Sequence, residues 1–410
     1  MRNRILNEKR LGIAILGAML TALLLFAACA PKPAVEEKQA VRVGIIAPLT
    51  GGAAAVSQYG FRNQIDYLRY FEEVGIPGVS LPPGVTIELS WADCGFEVPR
   101  AISAYQRFVE RDVAFLYIYN PRALEALKPR CAKDEMPAFA MGVTEALMYP
   151  PGWIFTVFPT GSEYFVVLAD WIMENWQEER PPRLVFVGIE EPMSRTTALR
   201  GGKYAESIGI EVLPDEVVPL VPLDVTPQLL RVGERGADYV YITSVWGVAL
   251  GVLRDAERLG LTDKIRFGGW ENNQGRTLIE TLGPAVEGYL SPRAFPWYKE
   301  VPFLIDMTMK YRGYIDTEGD GAATLAFMSV VIEAMRIAIE EVGYENLDGR
   351  AIKEAFYSIK DFDPHGMGRP VTYTPEDHRG TPLVRIYEVQ GGEVVPITDW
   401  RDAPMLVPEN

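Results

Sequence analysis

The sequence predicts an α/β fold made of two consecutive wraps of strand and helix, each around a parallel sheet. Three observations carry this. Short β-branched runs that end in turns alternate with segments whose apolar residues recur every three to four positions. The alternation restarts after Phe158-Pro159-Thr160 with a second set of similar length. A third part then breaks the pattern with a long apolar helix and a closing hairpin.

The elements follow in order. VRVGIIAP at 41–48 reads as a buried strand that ends at a turn, with Gly51-Gly52 behind it. A helix follows over 53–74, in which the apolar positions Tyr59, Phe61, Ile65, Leu68 and Phe71 suggest helical spacing. Strands at 86–91, 113–119 and 138–141 alternate with helices at 99–111 and 122–134. In the second wrap, helices at 164–176, 196–208, 226–236 and 248–259 alternate with strands at 183–187, 211–218, 239–243 and 265–268. Strands spaced by helical segments imply βαβ units and parallel pairing. In the third part, helices are expected at 302–311, 322–342 and 351–358. The second of these is apolar on most faces and belongs between other elements. The segment 384–389, the turn Gln390-Gly391-Gly392 and 393–395 form a hairpin.

The first 28 residues form an export signal. Arg2, Arg4, Lys9 and Arg10 precede an apolar run over 11–28, which closes on Phe26-Ala27-Ala28-Cys29. The ending resembles a bacterial lipoprotein signal, in which the cysteine, here Cys29, becomes the lipidated N-terminus. Phe26 stands where leucine is usual. A plain secretory signal or an uncleaved anchor are the alternatives, and all three place the chain outside the cytoplasm. Residues 30–40 read as a flexible tether. No later apolar run is expected to reach the length of a membrane span.

Of 410 residues 48% are apolar, enough for two cored domains, and the formal net charge is −15. That charge argues against nucleic acid as a partner, because phosphates reward Lys and Arg. Cys94 and Cys131 remain after Cys29, either as a disulfide or as two buried thiols. His365 and His378 are the only histidines, which excludes a His-rich metal site and limits any triad to them. No phosphate-binding glycine motif, nucleophile elbow or Cys-x-x-Cys occurs, and no cofactor is implied. The acidic loop Asp316, Glu318, Asp320, Gly321 has Phe327 where a calcium loop needs glutamate, so it reads as a solvated turn. Glu190 and Glu191, with Glu271, are the acid/base candidates for a secreted hydrolase; Glu190 and Glu191 read otherwise as exposed loop charges.

Ligands of open α/β sheets bind at the carboxyl ends of the strands. Those positions here carry Tyr119-Asn120, Gly142 to Thr144, Met193 to Arg195, Ser244 to Trp246 and Trp270 to Asn273. Aromatic rings with a few polar groups are the general form of a small-molecule site.

At these residues the chain resembles type I periplasmic binding proteins, specifically the branched-chain amino-acid (Leu/Ile/Val) group that feeds ABC importers. The carriers are VRVGIIAPLTGGAAAVSQYG, MGVT at 141–144, YITSVWGVALGVLRDAERLG at 241–260, FGGWE at 267–271 and GRPVTYTPEDHRGTPLVRIYEVQGG near the end. The resemblance covers about 41–400. It implies two Rossmann-like doubly wound lobes joined by three crossovers, near 158–162, 289–294 and 362–368. Residues 41–160 with 292–362 would form the first lobe, and 161–291 with 363–410 the second.

By the same resemblance, Thr144 and nearby N–H groups hold a ligand carboxylate and Glu271 holds an ammonium. Trp246 and Trp270 cover the side chain, with Tyr119, Asn120, Gly142 and Met193 also in the site. Each has a plainer reading: Thr144 as a turn cap, Glu271 as a loop acid, the tryptophans as core. Where the family shows a serine-rich loop, this chain has Tyr119-Asn120-Pro121-Arg122, so Asn120 can replace the serine donors or Arg122 can clamp a bulkier acid. The cysteine at 94 fits the family, but Cys131 lies later than the family's partner. The implied function is capture of a small amino acid, an amide or an aromatic or aliphatic acid for delivery to a membrane permease. A sensory receptor of the same fold is the alternative. No enzyme activity is expected.

Overall fold

The structure is a computed structural model that describes residues 39–51, 54–244, 246–271, 275–317 and 321–407. The export signal, Cys29 and most of the tether lie outside the described residues, as do Glu318 and Asp320 of the acidic loop.

One sheet contains β1 (Gln39–Ala47), β2 (Val85–Asp93), β3 (Phe115–Ile118), β4 (Ala138–Ala140) and β5 (Ile154–Phe155), in the order β2-β1-β3-β4-β5. Pairing is parallel from β1 through β3 and β4 to β5. Every residue of β3 and β4 is buried, as expected of parallel strands covered on both faces. The covering helices are α1 (Ala54–Glu73), α2 (Val98–Val109) and α3 (Pro121–Lys133). In α2 the buried residues Ala101, Ala104, Tyr105 and Phe108 recur at helical spacing. A short helix, α4 (Glu145–Met148), follows β4.

The chain then crosses to a second sheet through α5 (Gly161–Asn175). This helix starts three residues before its expected position because Thr160 and Glu163 form a capping box. The second sheet runs β13-β12-β11-β10-β9-β6-β7. Its strands are β6 (Arg183–Gly188), β7 (Glu211–Val212), β8 (Glu216–Val217), β9 (Tyr239–Thr243), β10 (Arg266–Gly269), β11 (Leu290–Arg293), β12 (Leu383–Gln390) and β13 (Glu393–Pro396). A further strand, β14 (Arg401–Asp402), pairs with β12. The helices of this lobe are α6 (Pro192–Thr196), which passes through a π turn at Thr197–Gly201 into α7 (Gly202–Ser207), then α8 (Thr226–Glu234), α9 (Trp246–Arg258) and α10 (Arg276–Leu282). The single strand expected at 211–218 is broken into β7 and β8, both paired with β6. Pro214 lies in the break and has no N–H to donate.

After β11 the chain returns to the first lobe as α11 (Pro302–Arg312), α12 (Gly321–Val342) and α13 (Gly349–Ser358). Contrary to the expectation above, α12 is long and apolar enough to cross a bilayer by composition alone. It is a core helix here, with 83% of its most apolar window buried. It packs between α1 and α13. The hairpin of β12 and β13 then closes the second sheet against β11.

Cys94 and Cys131 are both buried and free, so the possible disulfide is not formed. The Cys94 thiol lies beside the Asn120 amide, while Cys131 sits on the buried face of α3 beside Tyr105.

His378 belongs to the segment that leaves α13, and it stacks on Phe155 at 4.2 Å. Its Nδ1 lies 3.0 Å from the Ile154 carbonyl and must donate, so neutral Nε2 accepts from the Tyr357 hydroxyl at 3.0 Å. Burial pulls its pKa down from 6.5 to about 4. The unfolded ring therefore binds a proton between pH 6.5 and about 4 that the folded ring refuses, and stability falls as pH drops through that window. The loss amounts to about 3 kcal/mol at the acid end. His378→Gln lacks this component. Urea unfolding at stepped pH should show the gap between wild type and variant narrowing from pH 7 to 4.5, and a constant gap would refute the assignment.

Candidate functional site

The carboxyl ends of β4 and β10 face one another across a cleft, with the first crossover as its floor. Met141, Gly142 and Val143 come from the first lobe. Phe158, Pro159, Gly161 and Tyr164 come from the crossover and the start of α5, and Met193, Trp270 and Glu271 from the second lobe. They enclose a cavity of about 50 Å³. Two larger hollows, of about 410 and 500 Å³, lie elsewhere on the second lobe. One sits at the opposite ends of β9 to β11 and the other beside β7, and neither is lined by the first lobe.

Among the described residues of this lining, Glu271 is the only Asp, Glu, Lys, Arg or His. Its Oε1 accepts from the Tyr164 hydroxyl at 3.2 Å and its Oε2 from the Ala294 N–H at 3.2 Å. The guanidinium of buried Arg293 donates to the Glu271 carbonyl at 3.0 Å. Burial pushes the Glu271 carboxyl up, while Arg293 and the two donors pull it back. Each carboxylate oxygen retains a lone pair for a further donor. Trp270 stands beside it, 5% exposed, and its indole N–H has no partner among the described residues.

Gly142 has φ +83°, and a Cβ there would lie 2.8 Å from the Pro121 ring and 3.4 Å from the Met193 sulfur. Only glycine allows this backbone and this approach of the two lobes. Met193 is held by Glu191, whose Oε2 caps α6 by accepting from the N–H groups of Met193 at 3.1 Å and Ser194 at 3.3 Å.

Other expected site residues are turned elsewhere. The Tyr119 hydroxyl donates to Gln64 at 2.9 Å. Asn120 caps α3 through its Oδ1, which accepts from the Ala123 N–H at 3.1 Å, while its amide Nδ2 has no hydrogen-bond partner among the described residues; Asn120 does not line the cavity. Thr144 donates to Glu125 at 2.7 Å and is 1% exposed, so its hydroxyl is committed outside the cavity. Arg122 donates to the Glu190 carbonyl at 3.1 Å, across the lobes, and does not line the cavity. Trp246 opens α9, and its side chain lies outside the described part of the chain. Phe158, Gly161 and Tyr164 are in the lining although the sequence reading did not single them out. Their signal was the crossover itself, where Pro159-Thr160 marks the restart. Among the described residues no group of three His, Cys, Asp or Glu converges as a metal would require.

Two parallel-sheet lobes, connected three times and sharing a cleft lined from both, are the build of a two-lobed solute-binding protein. The sequence matches the periplasmic binding protein family over residues 40–393, and the chain belongs to that family. Membership implies an extracytoplasmic place of work. A comparison with curated proteins gave no significant match. Among solved structures, the chain is similar to a branched-chain amino-acid ABC transporter protein from Thermus thermophilus with bound valine. The identity is 24% and the TM-score 0.81, covering 89% of this chain and 97% of the other. It is similar also to a fatty acid ABC transporter substrate-binding protein from Thermomonospora curvata, with 21% identity, TM-score 0.77 and coverage of 89% and 92%. A third is an ABC transporter solute-binding protein from Rhodopseudomonas palustris in complex with 3,4-dihydroxybenzoic acid, with 18% identity, TM-score 0.73 and coverage of 89% and 98%. At these identities the likeness establishes the shared fold of ABC transporter substrate-binding proteins and not a ligand.

Proposed function

We propose that this protein captures a small solute bearing an ammonium group, an α-amino acid or its amide, in the cleft and delivers it to an ABC permease. The carrying observation is the charge of the lining: among the described residues, one buried carboxylate, Glu271, and no cationic side chain. A ligand ammonium gives that carboxylate a partner in a dry site, where charge-assisted hydrogen bonds are strong. A fatty or aromatic acid without an amine would bring a second negative charge to it, an unfavourable pairing. Met141, Val143, Phe158 and Met193 supply apolar cover for a short side chain. Closure of one lobe on the other buries the solute, and lipid at Cys29 tethers the protein beside its permease.

The test is a thermal-shift screen of the chain from residue 29, with Cys29→Ser, against L-valine, L-valinamide, isobutyric acid and 3,4-dihydroxybenzoic acid. Ligand that binds only the folded state raises the melting temperature. A rise with valine or valinamide and none with the acids is expected. A rise with the acids alone would overturn the reading.

A further inference from the structure

We infer that Arg122 is a closure latch, a positioning residue that holds the second lobe's β6–α6 loop against the first lobe and so sets how long a captured solute stays. The inference rests on the proposed function only in requiring a solute that is trapped by closure. Arg122 is the second residue of α3, on the first lobe. Its Nη2 donates at 3.1 Å to the main-chain carbonyl of Glu190, on the second lobe. The next residue, Glu191, is 8% exposed, and its Oε1 has no hydrogen-bond partner among the described residues. Burial pushes that carboxyl up. The Ser194 N–H, the charge of Arg122 and the Met193 N–H pull it down, and Glu125 pushes it up again.

The gripped loop is also the one that closes the cavity. Glu191 caps α6 and thereby fixes Met193, whose sulfur lies 3.4 Å from the position a Cβ on Gly142 would take. Arg122 therefore compensates a carboxylate that loses water when the lobes meet, while its hydrogen bond fixes the loop that covers the ligand. Neither group touches the cavity. A residue of this kind acts on release more than on capture, because separating the lobes to admit or free a solute would break the contact.

The experiment is stopped-flow binding of L-valine and L-valinamide to wild type, Arg122→Ala and Arg122→Lys, read from tryptophan fluorescence, with the melting temperature of each ligand-free protein. Arg122→Ala is expected to raise koff about tenfold with kon within about twofold, a change of about 1.4 kcal/mol in affinity. Arg122→Lys, which keeps the charge, should recover part of the loss, and the ligand-free melting temperatures should agree closely. An unchanged koff in Arg122→Ala, with wild-type binding intact, overturns the latch and leaves the proposed function standing. Loss confined to kon, or an equal fall in ligand-free stability, overturns it as well. If wild type binds neither probe but binds isobutyric or 3,4-dihydroxybenzoic acid, the amine reading of the cleft fails, and the same koff comparison with that acid decides the latch: a faster koff in Arg122→Ala upholds it and an unchanged koff overturns it.

Discussion

Glu163→Ala is expected to destabilise the protein by about 3–5 kcal/mol, the loss typical of breaking a buried ion pair from one side. Glu163 is fully buried where the first crossover enters α5. Its Oε2 lies 3.0 Å from Nη1 of Arg379, itself 5% exposed, and accepts from the Thr160 N–H at 2.9 Å. Its Oε1 accepts from the Tyr149 hydroxyl at 3.1 Å and from the Leu406 N–H at 2.9 Å. One carboxylate thus joins the first crossover, the segment returning from α13 and the C-terminal strand region. Removing it leaves the buried Tyr149 hydroxyl and Thr160 N–H and the partly buried Leu406 N–H without their acceptor, and Arg379 with Asp377 alone. Urea unfolding should show a lower midpoint with a similar slope. Glu163→Gln keeps an acceptor for the cap and should lose less. A loss below about 1 kcal/mol in Glu163→Ala would refute this account of the hinge.

Glu271→Gln is expected to weaken amine binding by about 2–4 kcal/mol, or roughly 30- to 1000-fold in Kd. The ligand ammonium would lose its counter-charge in a site with no other ionised lining group. The wild type should also show a pH signature. Burial holds the Glu271 carboxyl above the ordinary carboxylate range. Protonation as pH falls through that raised value removes the charge the ammonium needs, so affinity falls toward acid and is retained toward neutral pH. Glu271→Gln should have a flat profile over the same range. Calorimetric titration with L-valine at stepped pH reads both effects. Equal affinity of variant and wild type would remove Glu271 from the ammonium role.

Much of the fold was legible because its signals are local. The apolar spacing of Ala101, Ala104, Tyr105 and Phe108 marks one face of a helix whatever surrounds it. The strand runs 41–48 and 239–243 carry enough β-branched residues to declare themselves. Elements with weak local signals were missed. The two-residue strand β5, the four-residue helix α4 and the strand β11, which contains Pro292, exist because neighbours pair with or cover them. The site was legible to the same degree. Gly142, Met193, Trp270 and Glu271 lie in the lining, having been chosen for their places at strand ends. Tyr119, Asn120 and Thr144 stand at strand ends too, yet the Tyr119 hydroxyl points to Gln64, the Asn120 Oδ1 to the start of α3 and the Thr144 hydroxyl to Glu125. Strand-end position follows from sequence; the direction of a hydroxyl depends on which partner is within 3 Å.

By itself the sequence determined the succession of strands and helices, the acidic balance, and the family to which the chain belongs. These follow from periodicity, composition and short motifs, each readable within a few tens of residues. Only the tertiary structure decided how the buried charges are matched. Glu271 meets Tyr164 from 107 positions away, Glu163 meets Leu406 from 243, and Cys94 and Cys131 remain apart as thiols. A buried charge is governed by the groups that replace its water, and those arrive from distant parts of the chain only when the lobes have folded and met.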